Sequence, residues 1–538
     1  MRVSNLVAIV VLLLACGAVS KTAGQQASSS PVTVAGAQLK QAAYLKGSNT
    51  KAGDHFGCGG VLDGHAGYGA AISGDGNTLA IGAPHESGGA KGVNGKGGGE
   101  VYASGAVYVF IRSGATWAQQ AYIKPSNPQM SAEFGHAVVL SADGNTMAVS
   151  AYWEASKGTG INGDQSDESI PQAGAVYLFT RTGTTWTQQA YVKASNTGEA
   201  GTEDKFGDGD QFGVSLALSD DGRTLAVGAI SEDSNASGIN GNQADNSATS
   251  AGAVYVFARS GNTWAQQAYV KASNPDPADM FGYGVALSAD GNTLAVGSYD
   301  ESGSSRTING PADNMRRGAG AVYVFTRTGA TWAQQAYIHA SNAEAGDSFG
   351  VVVALSDDGN TLLSAALDED CLATGVNPQG CDNDRAADRS SGAAYIFVRT
   401  GTTWSEQAFI KASNSGANDW FASRSALSGD GNTAAFGASL EDSSGRGVDG
   451  KQDDDKAPES GAVYFFRRSG TTWSQQHFVK AANADAYDEF GGSVALSRDG
   501  RTMVVAAHSE DSSSHGIGGN QADNGSVEAG AAYVFSAN

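Results

Sequence analysis

The chain has few prolines, few cysteines and no long apolar run beyond its N-terminus. Of 538 residues, 10 are proline and 4 are cysteine, whereas 74 are glycine. Abundant glycine with little proline suits many tight turns between strands and does not suit long helices. The sequence contains no HExxH pair and no Gly-x-Ser-x-Gly elbow in a strand-to-helix setting. No catalytic motif therefore indicates an enzyme.

Basic residues are also in short supply. The 33 lysines and arginines face 55 aspartates and glutamates, which gives a formal charge of −22. Such a field disfavours binding to nucleic acid and to anionic lipid surfaces, and it favours solubility, cations or basic partners. The hydrophobic fraction of 41% is enough for a packed core. We therefore expect a folded protein that does not bind nucleic acid.

The N-terminus resembles an export signal. A single basic residue, Arg2, precedes the apolar run 3–15, which is too short to span a bilayer well. The run ends in Leu-Leu-Ala followed by Cys16, a match to the bacterial lipobox, in which the cysteine is lipidated. Cleavage after Ser20 is the alternative. We predict a signal peptide at 1–15, lipidation of Cys16 and a flexible tether at 16–37, and therefore an exported envelope lipoprotein at the outer membrane or cell surface, or else a secreted protein.

The remaining cysteines fit an oxidising compartment. Cys371 and Cys381 bracket nine residues of one polar loop, and we predict that they form a disulfide. Cys58 is left over, either buried or free. A zinc site is not expected, since neither the cysteine spacing nor nearby histidines supply four ligands.

A repeat of about seventy residues runs through the rest of the chain. Its third strand begins at a glycine: Gly105, Gly174, Gly252, Gly320, Gly392, Gly461 and Gly530. Its fourth begins near a tryptophan: Trp117, Trp186, Trp264, Trp332, Trp404 and Trp473. Each unit reads as a four-stranded antiparallel meander with Gly-containing tight turns. Units of this size and content are typical of propeller blades.

The two termini predict how the ring closes. The chain stops after a third strand at Phe535, and residues 39–46 match the fourth strand, with Leu39 at the tryptophan position. An N-terminal strand that completes the last blade would remove two exposed sheet edges. We therefore predict an all-β, seven-bladed β-propeller over 38–538. The predicted blades are 47–124, 125–193, 194–271, 272–339, 340–411, 412–480, and 481–538 with 38–46.

Several motifs resemble the FG-GAP repeats of the integrin α-subunit propeller and its bacterial relatives. They are Phe56-Gly57, Gly82-Ala83-Pro84 and the Gly-Ala-Val-Tyr-Val-Phe run at 105–110. The resemblance covers residues 38–538 and implies a binding protein that recognises other proteins or extracellular ligands on one propeller face. It also implies calcium in a DxDxDG-type loop, but the corresponding turns here offer one carboxylate each, so these calcium sites are expected to be absent. The aspartates of those turns are read as turn formers: Asp75, Asp143, Asp221, Asp290, Asp358, Asp430 and Asp499.

The long second-to-third loops and the fourth-to-first loops share one face of the predicted ring. Loops of about twenty residues are usually functional or disordered, so we expect recognition here. Their acidic residues suggest a second calcium hypothesis, with solvated acidic loops as the alternative. The candidate metal ligands are Glu232, Asp233, Asp245, Asp368, Asp370, Asp382, Asp384, Glu441, Asp442, Asp453, Glu510, Asp511 and Asp523.

Three further residues depart from the repeat. Trp153 and Trp420 lie off the register in loop-like segments, and either contacts a ligand or is buried. Arg424 replaces a small residue in a first strand, where it would project into the channel and bind an anion, or else mark an irregular strand. The repeated arginines of the third-to-fourth turns and the lysines that end the fourth strands are expected to be ordinary solvated residues that pair with nearby aspartates; the alternative is a charge asymmetry that orients a partner or the membrane.

The sequence therefore predicts a non-catalytic extracellular or cell-surface binding and adhesion scaffold. Its partner would be an extracellular protein or glycan, bound by a monomer whose only membrane attachment is the lipid anchor. Two alternatives remain, a secreted calcium-dependent hydrolase or lyase on the same scaffold and a purely structural envelope protein.

Overall fold

A computed structural model describes residues 38–58, 68–198, 209–381 and 390–537. The predicted signal peptide, Cys16 and the tether lie outside the described residues. Residues from Leu39 onward form one compact unit. The named elements of the described chain are all β-strands, arranged in seven antiparallel sheets.

Each sheet is one blade, and its strands are called first to fourth from the ring axis outward. Blades 1 and 2 contain β2 (Ala70–Ile72), β3 (Thr78–Ala83), β4 (Ala106–Ser113), β5 (Thr116–Ile123), β6 (Val138–Leu140), β7 (Thr146–Ala151), β8 (Ala175–Thr182) and β9 (Thr185–Val192). Blades 3 and 4 contain β10 (Leu216–Leu218), β11 (Thr224–Ala229), β12 (Ala253–Ser260), β13 (Thr263–Val270), β14 (Val285–Leu287), β15 (Thr293–Ser298), β16 (Ala321–Thr328) and β17 (Thr331–Ile338).

The last three blades show two departures from a plain meander. Blade 5 contains β18 (Phe349–Leu355), β19 (Thr361–Ala366), β20 (Gly375–Val376), β21 (Ala393–Thr400) and β22 (Thr403–Lys411). Its short β20 pairs with the outer edge of β22 as a fifth strand. Blade 6 contains β23 (Arg424–Leu427), β24 (Thr433–Ala438), β25 (Ala462–Ser469) and β26 (Thr472–Val479). Blade 7 contains β27 (Phe490–Leu496), β28 (Thr502–Ala507), β29 (Ala531–Ala537) and β1 (Leu39–Leu45).

Blade 7 is built from both ends of the chain. β1 pairs antiparallel with β29, from Leu39 opposite Ala537 to Leu45 opposite Ala532. The predicted seven-bladed ring, closed by an N-terminal strand, is thereby confirmed. The boundary between blade 7 and blade 1 is called the seam.

The tight turn between the first and second strands has the same hydrogen bonds around the ring. In blade 4, Oδ1 of Asp290 accepts bonds from Oγ of Ser288 at 2.7 Å and from the backbone N of Asn292 at 2.9 Å. Gly291 follows with φ of 65°, a conformation that glycine adopts without strain. The aspartate thus closes its own turn, in the role that the sequence predicted for it.

Aromatic side chains fill the space between blades. Tyr323 on the third strand packs against Phe281 of its own blade with ring centroids 5.4 Å apart, and against Tyr337 at 4.9 Å. Equivalent tyrosines recur in every third strand and are fully buried: Tyr108, Tyr177, Tyr255, Tyr323, Tyr395, Tyr464 and Tyr533. The repeated tryptophans are 2–5% exposed. These rings are core residues.

A circle of seven backbone hydrogen bonds joins the blades at the tight turns between the first and second strands. The N–H of Gly74 donates to the carbonyl of Ala142, whose N–H donates to Asp220, and so on around the ring until Arg498 donates to Gly74. The members are Gly74, Ala142, Asp220, Ala289, Asp357, Gly429 and Arg498, with N–O distances of 2.8–3.2 Å. The first strands enclose a central channel of about 270 Å³. At the end of the channel that carries the tight turns, the side chain of Arg498 contacts the carboxylates of Asp220 and Asp357.

The arginines of the third-to-fourth turns connect neighbouring blades, whereas the sequence suggested solvated turn residues that pair with nearby aspartates. The guanidinium of Arg327 lies 5.2 Å from the ring centroid of Trp332, and its Nη1 donates to Oε1 of Gln267 in the preceding blade at 3.0 Å. Nε1 of Trp332 donates to the same oxygen at 3.0 Å. The arrangement recurs at Arg181, Arg399 and Arg468.

Candidate functional site on the loop face

The two ends of the ring differ in their connections. The tight turns lie at one end, which we call the turn face. The second-to-third loops lie at the other end with the fourth-to-first loops, and the two loop types are hydrogen-bonded to each other. For example, the N–H of Ser131 donates to the carbonyl of Tyr102, and that of Glu133 donates to Ala103. We call this end the loop face.

A layer of buried lysine–glutamate pairs lies beneath the loop face. A lysine at the end of the fourth strand meets a glutamate at the start of the second-to-third loop, with Nζ–Oε2 distances of 2.6–3.0 Å. The pairs are Lys46–Glu510, Lys124–Glu86, Lys193–Glu154, Lys271–Glu232 and Lys480–Glu441. All five lysines are 0% exposed. The sequence-based expectation of solvated lysines was wrong, because each lysine is enclosed together with a glutamate that lies far from it along the chain, at the start of the second-to-third loop.

Further hydrogen bonds complete each pair. In blade 3, Glu232 also accepts bonds from the hydroxyl of Tyr269 at 2.7 Å, Nδ2 of Asn196 at 3.1 Å and the backbone N of Ser234 at 3.1 Å. Burial lowers the pKa of the Lys271 ammonium, and the Glu232 carboxylate opposes that effect. A buried pair needs this full set of partners, because each unpaired charge would carry its desolvation cost.

Blades 4 and 5 vary the layer. Blade 4 has His339 in place of the lysine, 3.9 Å from Glu301, and burial lowers the pKa of His339 to about 4. In blade 5, Nζ of Lys411 donates to Oγ of Ser391 at 2.8 Å and to the carbonyl of Gly392 at 2.6 Å. Burial lowers the pKa of Lys411 to about 8. Blade 5 also carries the disulfide between Cys371 and Cys381, which confirms the predicted pair. Cys58 is buried and lies outside this disulfide.

The candidate calcium ligands have partners within their own loops. Glu232, Glu441 and Glu510 belong to the lysine layer described above. The aspartates that follow them accept backbone N–H groups from the returning end of the same loop: Asp233 from Ser250, Asp442 from Glu459 and Asp511 from Glu528. These residues thus order the loops, a role that the calcium hypothesis did not include.

The other candidates are also engaged. Asp245 closes an Asx turn, and Asp523 accepts a hydrogen bond from a serine hydroxyl. Asp368 accepts hydrogen bonds from two serine hydroxyls, and Asp370 accepts one from a backbone N–H. Asp453 lies 3.5 Å from Nζ of Lys451. Asp382 and Asp384 lie outside the described residues. Within the described ranges, no three His, Cys, Asp or Glu side chains stand where they could hold a metal ion. Calcium binding therefore stays a prediction without a preformed site in that part of the chain.

The three predicted contact residues are only partly accessible. Trp153 is half-buried and packs on the apolar cluster next to Tyr152, 5.3 Å from its ring. Trp420 is also half-buried. Arg424 is 7% exposed and begins β23, where its Nη1 donates to the carbonyl of Ser423. Burial raises the pKa of nearby Tyr68 to about 12, and the Arg424 charge opposes that shift.

One backbone position on the loop face is constant while its side chain varies. The residue before the Phe of each first-strand motif has φ between 51° and 59°, in the left-handed region that non-glycine residues rarely adopt. These residues are His55, Glu133, Gln211, Met280, Ser348, Trp420 and Glu489. Strained backbone with unrepeated side chains is typical of functional positions.

At the seam this position contributes to a cluster of histidines and glutamates. The rings of His55 and His85 are 4.8 Å apart, and those of His55 and His508 are 6.1 Å apart. Each histidine faces a different glutamate: His55 faces Glu528 at 3.6 Å, His85 faces Glu133 at 3.5 Å and His508 faces Glu489 at 3.2 Å. We call these six residues the seam cluster.

This cluster was not predicted from the sequence, because its histidines appear scattered along the chain. Ring closure brings residue 508 next to residue 55. The repeat itself contained a usable signal. His55 occupies the strained position of its unit, and His85 and His508 stand within two residues of the end of a second strand. Alignment of the seven units at those positions would have found them.

Several exposed apolar side chains belong to the loops that carry residues of the seam cluster. In the described residues, all six large hydrophobic side chains that are well exposed lie in loops of the loop face: Tyr102, Met130, Met315, Tyr487, Ile517 and Val527. Tyr102 and Met130 lie beside Glu133, Tyr487 lies two residues before Glu489, and Val527 precedes Glu528. We call Tyr102, Met130, Tyr487 and Val527 the seam patch.

Comparison with known proteins supports the family assignment. A family model for the FG-GAP repeat matches residues 264–325, 332–397 and 473–535. A search of curated protein sequences gave no significant match. In the described residues, no helix has the length and apolar character needed to cross a membrane.

Two solved structures illustrate the structural similarity. Kuenenia stuttgartiensis hydrazine synthase is 12% identical with a TM-score of 0.42, and the match covers 82% of this chain and 93% of that one. The Pseudomonas aeruginosa periplasmic gluconolactonase PpgL is 14% identical with a TM-score of 0.42, covering 84% and 98%.

Proposed function

Since this chain is an FG-GAP repeat β-propeller, we propose that it is a non-catalytic binding protein that recognises an extracellular protein through the seam patch on its loop face. The observation that carries this proposal is the distribution of exposed apolar side chains in the described residues. They are confined to the loop face, and four of them flank one unrepeated polar cluster.

The composition of the patch supports protein recognition. Tyrosine and methionine are enriched at protein interfaces, and a few large apolar side chains within a polar surround supply most of the binding energy there. Tyr102 is 65% exposed, Met130 73%, Tyr487 59% and Val527 60%. Exposed side chains of this size that occur together mark interaction sites more often than isolated ones do.

We also propose that the protein is exported. The lipobox at Cys16 would attach the protein to the cell envelope, and the Cys371–Cys381 disulfide suits an oxidising compartment.

The test places a photo-crosslinking residue at Tyr102 or Tyr487 of the full chain in its own cells. Met315 is the matched control, because it is 80% exposed on the same face in blade 4. We expect one protein partner to be captured from the seam positions and not from position 315. The purified partner should bind Tyr487→Ser on the order of tenfold more weakly, a typical effect for a contact tyrosine.

Three outcomes would overturn the proposal. The first is equal capture from all positions, and the second is partner affinity unchanged by combined substitution of the seam patch. The third is displacement of every captured species by an oligosaccharide, which would assign the patch to glycan binding instead. Met315→Ser should leave partner affinity and the thermal midpoint unchanged.

A further inference from the structure

Blade 6 carries two replacements that contact each other. His477 lies in its fourth strand, and the equivalent residue is alanine in all six other blades. Asp449 lies in its second-to-third loop, and the equivalent residue is asparagine in blades 1 to 5. Nδ1 of His477 lies 2.9 Å from Oδ2 of Asp449. Two departures from a repeat that meet in one blade indicate a local role that the scaffold does not require.

The carboxylate of Asp449 orients the imidazole of His477. Its Oδ1 accepts the backbone N–H of Phe478 at 3.1 Å, the same bond that Oδ1 of Asn240 accepts from Tyr269 in blade 3. The replacement therefore keeps the loop bond and exchanges only the amide nitrogen for Oδ2, which faces His477. A carboxylate at Nδ1 favours the tautomer with its proton there, so Nε2 keeps a lone pair that can accept a hydrogen bond.

The pair lies on the wall of a cavity of about 500 Å³ between blades 5 and 6. One side of this cavity is formed by Gly375 and Val376 of β20, and the other by residues 473–478 of blade 6. The His477 side chain is 21% exposed, and the one hydrogen bond of its ring to a described residue is at Nδ1. Nε2 is therefore accessible, in a cavity of the size that small ligands occupy.

The rest of the cavity lining is neutral. Oγ of Ser413 accepts from Nε2 of Gln475 at 3.0 Å and donates to Oε1 of Gln452 at 2.8 Å. Asp449 is the one charged residue among the described residues that line the cavity, and its carboxylate is held by His477 and a backbone N–H. An anionic ligand would need a cation, which this lining does not supply.

Gln476 adds an amide side chain that is released from its usual contact. In blade 5, Oε1 of the equivalent Gln407 accepts from Nε1 of Trp473 in the next blade at 3.1 Å. Blade 7 has Leu39 at the tryptophan position, and Gln476 is exposed and donates to Oγ of Ser474 at 2.8 Å. Oε1 of Gln476 is thereby available to a ligand.

We propose that this cavity binds a neutral saccharide through His477. One sugar hydroxyl donates to Nε2 of His477, and neighbouring hydroxyls meet the amides of Gln475 and Gln476, which can both donate and accept. A sugar also presents C–H groups between its hydroxyls, and these suit the apolar side chain of Val376. The site contains no residue of the seam patch, so it does not depend on the proposed protein recognition.

The test probes an array of neutral and acidic glycans with the full-length protein, followed by calorimetric titration with the neutral saccharide that binds best. We expect one saccharide per chain. His477→Ala restores the residue of the other blades, so it should fold and weaken binding about tenfold through the loss of one hydrogen bond. His515→Ala is the matched control, at an exposed histidine in the second-to-third loop of blade 7, and should leave the affinity unchanged.

Asp449→Asn tests the orientation of the imidazole. The asparagine amide would donate to Nδ1 of His477, which moves the imidazole proton to Nε2 and turns the acceptor into a donor. We expect the ring nitrogen chemical shifts of His477 to report the exchanged tautomer and the saccharide affinity to fall about tenfold. A pair that only stabilises the blade would leave the affinity unchanged.

Three results would overturn the proposal. The first is that no neutral saccharide binds, and the second is that folded His477→Ala and Asp449→Asn bind it as tightly as the parent. The third is a preference for acidic glycans. Tyr487→Ser should keep the saccharide affinity, whereas a loss in that variant would place the sugar at the seam patch and not in this cavity.

Discussion

The turn face and the loop face are built from the same seven units but are stabilised in opposite ways. On the turn face, an aspartate closes each tight turn, and half-buried arginines stack on buried tryptophans and reach glutamines of the preceding blade. On the loop face, charged groups are buried in lysine–glutamate pairs in five of the seven blades, and the side chains above that layer vary from blade to blade. The difference teaches that the loops can vary without disturbing the scaffold, because a largely repeated ionic layer lies between them and the blades.

The largest expected effect comes from breaking one buried pair. Lys271→Met leaves Glu232 buried without its counter-ion, which typically costs about 3–5 kcal/mol. We expect a loss of this size in the free energy of unfolding, measured by denaturant titration. The double variant Lys271→Met/Glu232→Gln should recover part of it, since no buried charge then remains unpaired.

Blade 5 provides the matched control. Lys411 donates to a serine hydroxyl and a backbone carbonyl and has no carboxylate within 4.0 Å among the described residues. Lys411→Met should therefore destabilise the protein less than Lys271→Met. Equal losses at the two sites would show that lysine packing, and not the ion pair, supports the loop face.

The next largest loss of stability is expected from removing one arginine on the turn face. Arg327→Ala removes the contact with Trp332 and the hydrogen bonds to Gln267 and Asn292. We expect a loss of about 1–2 kcal/mol in the free energy of unfolding. In blade 3, Nε of Arg259 donates to the carbonyl of Gly261 in its own turn, so Arg259→Ala should cost less. A larger loss at Arg259 would contradict the inter-blade role.

Two aspartates, Asp279 on the loop face and Asp290 on the turn face, should respond to pH with opposite signs. Burial raises the pKa of Asp279 on the loop face to about 8. The folded state then binds more protons than the unfolded state, so this group's contribution to stability is present below about pH 4 and is lost as pH rises to about 8. The pKa of Asp290 on the turn face is lowered, because hydrogen bonds from Ser288 and Asn292 outweigh burial. Its contribution is lost as pH falls below about 4.

Two variants separate these contributions. Relative to the parent, Asp279→Asn should gain stability between about pH 4 and 8, on the order of 1 kcal/mol, because the asparagine cannot ionise. Asp290→Asn should be most destabilising near neutral pH, and its deficit should shrink as the solution becomes acidic. Unfolding free energies measured across this pH range would contradict the comparison if both variants changed in the same direction.

The smallest expected effect concerns calcium. Addition of about 1 mM Ca²⁺, the range that extracellular modules use, should leave the thermal midpoint unchanged, because the described loop carboxylates are already hydrogen-bonded or ion-paired. A rise in the midpoint would show that the native state binds calcium and that the loops rearrange to do so.

The blade framework was predictable because its signals are local and repeated. The Ser-x-Asp-Gly turns, the Gly-Ala-Val-Tyr third strands and the tryptophans recur in register, and the match of Leu39–Lys46 to a fourth strand predicted the closure. The lysine layer was not predictable in the same way. Lys271 follows an apolar strand and looks like a solvated end residue, and although its partner Glu232 stands 39 residues before it, as Glu154 and Glu441 stand before their lysines, the sequence does not show that the loop folds back to cover both charges.

The seam cluster escaped prediction for a different reason. His55 and His508 are neighbours only because the chain returns to its beginning, and a linear search for metal or catalytic spacing cannot join them.

The circle of seven hydrogen bonds at the turn face has an electrostatic consequence. Every donor points the same way around the axis, from Gly74 to Ala142 and onward to Arg498 and back to Gly74. A row of peptide dipoles in a helix ends in a positive and a negative pole. Joined head to tail in a circle, the components along the ring cancel, so the array has neither pole and attracts no ion to the axis. Whatever charge this end of the ring presents is therefore set by side chains such as Arg498, Asp220 and Asp357.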